Sequence, residues 1–330
     1  MRKLRIVFSV ACLIFSCSLL FVEQASTQAK FDPSKYLLGF VKEDKGHPVV
    51  QLWQAAFLIR AQELGYSAEL YCGESTDIAE TVALAEQGIA RGVKGIVTVA
   101  EYVGYYPFIK KAGDAGIPVV MCHTTLKSQA EVPGCKAFVA ANNDQTGVDA
   151  AIAIGEKIGG KGTVAITQGG FNSTENSCAS GFIKTMKGKY PNITVLDVQL
   201  ETYDPAQAVA IQARILRANK DVVAAFSTTG MGPSNWAKAA EQTGKKDGEV
   251  VIIGMDYLRK NLDLVKAGKV YAVMGQPLWE EVTAGVNLID KLLRGENVEF
   301  ANLLPAPVIT KEKVDPYYAI LDKVEAIFRK

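Results

Sequence analysis

From Tyr36 onward the chain alternates short apolar, β-rich runs with longer stretches of helical periodicity, and that alternation restricts it to right-handed βαβ units built on parallel sheets. The class is α/β. Strands are expected at 36–41, 68–71, 95–99, 118–122 and 137–140, separated by helices such as 49–64 and 78–91. A second series follows Asn142: helix 147–158, strand 162–167, helix 175–190, strand 194–199, helix 205–219, strand 222–227, helix 233–243, and strands 250–254 and 270–274. A helix over 278–293 comes next, and the tail, with Pro305, Pro307 and Pro316, is capped by a helix over 317–330.

Two such series imply two α/β lobes of about 150 residues each, with room for a cleft between them. The chain passes from lobe to lobe inside ordered sequence, near Asn142, near Gln276 and again in the proline-bearing tail, so Asn142 and Gln276 are the expected hinge. The expected N-terminal lobe is 36–141 plus 277–304, and the C-terminal lobe is 142–276 plus 305–330. The lobes echo each other in element order and carry no visible residue repeat.

The first 29 residues have the form of an export signal. Arg2, Lys3 and Arg5 precede an apolar run over 6–22, and Thr27-Gln28-Ala29 offers a peptidase site. Cleavage after Ala29 would place the remainder outside the cytoplasm. A lipoprotein would need Cys12 or Cys17 at the head of a lipobox, and Ser9 and Phe15 fit that pattern poorly. No later stretch is long and apolar enough to cross a bilayer. The formal charge of +1 comes from acids and bases spread evenly along the chain, with no basic block to neutralise a phosphate backbone, which argues against nucleic acid.

Cys72, Cys122, Cys135 and Cys178 remain after the leader, too few for a disulfide scaffold. Cys122 and Cys135 could pair across the intervening loop or stay free, and the sequence leaves both open. No spacing suits a metal, and no cofactor motif is present: Gly39, Gly159, Gly160 and Gly162 make neither GxGxxG nor a Walker loop. Catalytic readings find little support. No GxSxG elbow precedes a helix, and Cys122 and His123, as neighbours on a strand, point to opposite faces.

In open parallel sheets, ligands bind beyond the carboxyl ends of the strands. The loops there are polar. Glu43 and His47 follow the first strand, Glu101 the third, and His123 with Thr124 the fourth; the chain has no other histidine. The second series offers Gln168, Asn172, Asn176, Thr228, Thr229, Asp256 and Gln276, hydrogen-bonding groups of both senses with little positive charge. Such a set suits a neutral polyhydroxyl ligand. Asn172 serves equally as a helix cap.

The order of these features resembles the type I periplasmic binding proteins of the ribose and galactose binding family, across most of 37–296. The marks are Pro48 before a helix ending Glu63-Leu64-Gly65-Tyr66, then Gly92-Val93-Lys94-Gly95-Ile96, Ala115-Gly116-Ile117-Pro118-Val119-Val120, Asn142-Asn143-Asp144, Ile253-Gly254-Met255-Asp256, and Gln276. The resemblance implies two Rossmann-like lobes closing on a sugar or polyol at the hinge, and delivery to an ABC permease of the inner membrane. It assigns Asp256 to sugar hydroxyls and Gln276 to the ligand. The chain departs from the family at His47, where asparagine is common, at Val49 and Val50 in place of stacking aromatics, and at His123-Thr124 in place of Asp-Arg. Asn176 replaces an arginine and Thr229 an asparagine. Expected ligand-binding residues are therefore Asp256, Gln276, His47, His123, Asn176, Thr229, Glu43, Glu101 and Thr124, with Tyr102, Phe171, Tyr257 or Trp279 supplying an apolar wall. Losing aromatics and arginines disfavours ribose or galactose themselves and leaves another polyol or sugar. Presentation of the ligand to a chemoreceptor or sensor kinase, and a secreted hydrolase or lyase, are the alternative roles.

Overall fold

A computed structural model describes residues 31–329. The export leader expected over 1–29 lies outside the described residues. All elements below belong to the unit Pro33–Lys330.

The first lobe opens with strand β1 (Leu37–Lys42) and helix α1 (Pro48–Glu63). It continues through β2 (Ser67–Cys72), α2 (Ile78–Ala90), β3 (Gly95–Thr98), α3 (Tyr106–Asp114), β4 (Val119–Cys122) and β5 (Cys135–Ala141). The second holds α4 (Asn143–Lys157), β6 (Lys161–Gln168), α5 (Ser173–Lys189), β7 (Asn192–Val195), β8 (Gln199–Leu200), α6 (Pro205–Ala218) and β9 (Val222–Ser227). It goes on with α7 (Gly232–Gln242), β10 (Val251–Met255), α8 (Arg259–Lys266) and β11 (Ala272–Met274). The chain then returns to the first lobe for α9 (Leu278–Leu293) and β12 (Ala301–Leu304), and ends in β13 (Val308–Thr310) and α10 (Asp315–Phe328).

The sheets have the order β12-β5-β4-β3-β1-β2 and β13-β11-β10-β9-β6-β7, with β8 pairing β6. Every pairing is parallel except β11 with β13. In the first sheet β3 and β4 are buried at every residue, as expected for strands covered by helices on both faces. Tyr105, Phe108, Ile109 and Phe138 anchor its core, while Phe182 stacked on Phe226 anchors the second.

Order reverses beside β1 in one sheet and beside β6 in the other, so the loops that follow β1 and β3, and β6 and β9, splay apart and leave a crevice. Local chemistry fixes where those loops become helices. The His47 ring accepts a hydrogen bond from Val49 N ahead of Pro48, and Asn142, Asn172 and Asp204 each cap a helix with a side-chain oxygen. Three stretches cross between the lobes side by side: Asn142 N donates to Leu304 O, and Gly275 N donates to Pro307 O.

Among the described residues Cys72, Cys122, Cys135 and Cys178 are free. Cys122 on β4 sits opposite Val139, whereas Cys135 starts β5 opposite Val119, too far along the ladder for a disulfide. The Cys122 thiol instead meets the Glu281 carbonyl.

Candidate functional site

A cavity of about 550 Å³ opens where the strand ends of the two sheets face each other. His47, Glu101 and His123 line it from the first lobe; Thr229 and Asp256 line it from the second, and Gln276 from the crossing between β11 and α9. Thr124 lines an annex that shares Glu101, His123 and Gln276 with the main space. Gln276 is 8 % exposed, and its carboxamide has no hydrogen-bond partner among the described residues.

Backbone geometry aims several of these groups. Among the described residues, the non-glycine positions with positive φ are Asp44, His123, Thr202 and Asp256, and each follows a strand at this end of a sheet. Such conformations cost of order 1–3 kcal/mol and persist where surrounding structure holds them. For Asp256 the clamp is Asn261, whose amide donates to Gly230 O, Met255 O and Asp256 O at 2.7, 3.3 and 3.1 Å. Gly230 completes the fit, because a Cβ there would collide with the Asp256 carboxylate. Asp256 Oδ1 is buried and accepts no hydrogen bond.

Three sets of carboxylates surround the cavity. Buried Lys42 donates to Glu43 Oε1 at 2.7 Å and Glu101 Oε2 at 2.8 Å. Burial lowers the Lys42 pKa and the two carboxylates, Glu101 first, more than offset this, so its net direction is upward; Glu101 is in turn held below the usual range, burial being outweighed by Lys42 and His123. His123 Nδ1 lies 2.9 Å from Glu281 Oε2, beside the Trp53 ring. Burial pulls the imidazole down, and Glu281, Glu101 and Asp256 together lift it to about 9, so it is a cation at neutral pH. Asp256 rises to about 6 through burial first, with His123 opposing and Glu281 adding to the rise. Across the cavity, Glu175 accepts from Gly169 N, Asn172 Nδ2, Tyr203 Oη and Thr228 Oγ1 at 2.5–2.8 Å, tying the loops after β6, β8 and β9 together. Below it, Glu201 accepts from Ser227 and Thr229.

Two expected site residues fall outside the cavity lining. Glu43 is buried beneath it, engaged by Lys42 and the Tyr105 hydroxyl, because Tyr105 folds back over the end of β1. Asn176 lies on the outer side of α5, where it accepts from Gln168 Nε2. With 100° per residue, Thr174 and Cys178 share the inward face and Asn176 turns about 200° from Thr174. The aromatic wall is also placed differently. Tyr257 is buried against Tyr317, with Trp279 N donating to its hydroxyl, while Tyr102 and Phe171 stand exposed on the rim. Tyr203 is the aromatic that lines the space. Asn172 does cap α5, and its side chain also reaches Glu175.

Glu175 and Glu281 are not among the site groups that the strand-end loops or the family resemblance point to. The signal for Glu281 is its place on the stripe Leu278, Glu281, Val282, Gly285 and Val286, an acid at a spacing that buries it. For Glu175 the signal is its position three residues after a capping asparagine.

The family described as periplasmic binding protein domain matches residues 38–297. The xylitol-binding protein of Mycolicibacterium smegmatis is 27% identical over 248 residues, 73% of this chain and 68% of the relative. The ribose import binding protein RbsB of Salmonella typhimurium is 28% identical over 244 residues, 72% of this chain and 78% of the relative. Among solved structures, AraP, an arabinose binding protein from Geobacillus stearothermophilus, superposes with a TM-score of 0.78 at 26% identity, covering 86% of this chain and 99% of that one.

Proposed function

This chain belongs to the periplasmic binding protein domain family, and from that premise we propose that it captures a sugar or sugar-like polyol in the cleft and hands it to an ABC importer in the inner membrane. The observation that carries the ligand class is the cavity itself: hydrogen-bonding side chains of both senses converge on it from both lobes, and no lining residue is an arginine or lysine. Relatives named for xylitol, ribose and arabinose support the same class. The periplasm is the compartment that the family description and the expected leader favour.

Asp256, Gln276, His123, Glu101 and His47 are the residues assigned to the ligand. Asp256 offers a buried acceptor, Gln276 an acceptor and two donors, and the imidazolium one donor beyond its bond to Glu281. A vicinal diol can satisfy such a set because each hydroxyl both gives and accepts. Contacts to both lobes favour a closed state, and closure presents the surface that a permease reads.

The test is a thermal-shift screen of the purified protein against sugars, sugar alcohols and deoxy sugars, since a ligand bound only by the folded state raises the melting temperature. At least one polyol should raise it in a saturable way. Asp256→Ala should weaken that binding about tenfold or more, the scale of a hydrogen bond to a charged group. Silence across the whole panel contradicts the ligand class, and an unchanged affinity in the variant contradicts the site.

A further inference from the structure

The charge around the cleft is unbalanced. In the Lys42 set one ammonium faces the carboxylates of both Glu43 and Glu101. In the His123 set one imidazolium faces Glu281, and Asp256 stands within its field. Glu175 is held by a backbone amide, a carboxamide and two hydroxyls, with no cation. Each set therefore retains one uncompensated negative charge, and all converge on one cavity. Cations on nearby loops do not redress this. Lys45 is engaged by Glu74, and Arg259 by Asp322 and Glu325.

Unused hydrogen-bonding capacity has the same bias. Asp256 Oδ1 and Asn143 Oδ1 on the cavity, and Glu281 Oε1 behind His123, are buried acceptors without a donor among the described residues, against two unpartnered groups that can donate, Thr124 Oγ1 in the annex and Trp53 Nε1 beside His123. Gln276, also nine-tenths buried, presents an unpartnered carboxamide to the same space. A neutral sugar can donate to Asp256, but it leaves the ionic charge uncompensated in a cavity that loses its water on closure, and a buried unpaired carboxylate is costly.

Resting on the polyol reading above, we propose that the preferred ligand is a polyol bearing a protonated amine, an amino sugar or amino alditol, with its ammonium group seated at Asp256 and its hydroxyls on Gln276, His123 and Glu101. An ammonium donates without accepting, which matches a site whose unpartnered buried groups are mostly acceptors. The upward displacement of the Asp256 pKa to about 6 marks a carboxylate whose one cationic neighbour does not offset its burial. The same charge balance rejects sugar acids and sugar phosphates.

Matched pairs test this. Affinities of the purified protein are measured by calorimetry for glucosamine, galactosamine and glucamine beside glucose, galactose and sorbitol, and for the N-acetyl derivatives of the two amino sugars. At least one amine should bind tenfold or more tightly than its parent, and N-acetylation, which removes the charge, should abolish the advantage. Asp256→Asn, isosteric and uncharged, should bring amine and parent within about threefold of each other. Parents that bind as tightly as their amines overturn this inference and leave the polyol reading intact. A panel in which amines, parents and the wider set of neutral polyols all fail to bind overturns both. An amine preference that survives unchanged in a folded Asp256→Asn protein removes Asp256 as the seat. Should that variant not fold, the wild-type pairs decide the matter alone.

Discussion

Asp256 and His123 face each other from strand ends of the two sheets, and each departs from its ordinary pKa in a direction that makes stability depend on pH. The His123 imidazole is raised to about 9 in the folded chain, above its ordinary 6.5. Its stabilising contribution is complete below about pH 6.5 and disappears as pH rises through about 9, on the order of 3 kcal/mol by linkage. Melting temperature should therefore fall across that window, and Glu281→Gln should flatten the fall; an identical slope in the variant contradicts the pairing. Asp256 is an acid with a raised pKa, so the folded state prefers it protonated and loses stability as pH climbs from about 4 to about 6. Asp256→Asn should thus melt higher than wild type at pH 7 in the absence of ligand, with the gain vanishing below about pH 4. That is the usual exchange of stability for function at a binding site. Asp256 was legible in the sequence because an apolar run ends one residue before it, which puts it at a strand's carboxyl end. Its partner relation to His123 was not, since 132 intervening residues hide it until both sheets form.

Helix α5 shows what a small error in phase does to a site. Its expected start at 175 lies two residues beyond the observed Ser173, and Asn172 rather than a later residue carries the cap. The family resemblance, with an arginine at this position, favoured Asn176 as a ligand group, yet the phase set by the cap turns Thr174 and Cys178 toward the cleft. The phase is fixed from behind by α4, packed so closely that a Cβ on Gly147 would run into the Cys178 carbonyl and the backbone of Phe182. Gly147→Ala must push the helices apart and should destabilise the fold by about 1–3 kcal/mol, read as a lower midpoint in urea with little change in slope. A variant as stable as wild type would mean that this contact is not close. Elements absent from the sequence expectation share a cause: α3 and α8 are short, α8 carries five polar residues among eight, and β12 and β13 are brief runs within a proline-bearing tail. Their positions are set by tertiary pairing, with β12 added to the first sheet and β13 to the second.

At the scale of the whole molecule the alternation of strands and helices was enough to give two parallel-sheet lobes, because each βαβ unit can pack only one way on a twisted sheet. What it did not contain was how the tail joins them. Helix α10 is tied to α8 through Arg259 with Asp322 and Glu325 and through the Tyr318 hydroxyl on Asp263, and it also packs beside α1 of the other lobe. Together with the three adjacent crossings, this leaves rotation about one edge of the cleft as the available motion, and the ligand-facing groups lie on both sides of that edge. A ligand that binds His123 and Asp256 at once can be fully engaged only when the lobes approach, so its differential affinity for the closed state must shift the population. Small-angle scattering of the free protein and of the protein saturated with a bound polyol should show a smaller radius of gyration in the second. In Asp256→Ala, saturated to the same occupancy, the contraction should be smaller, because one of the cross-cleft contacts that distinguishes the two states is gone. Equal radii with and without a ligand whose binding calorimetry has established would mean that the cleft does not work by closure.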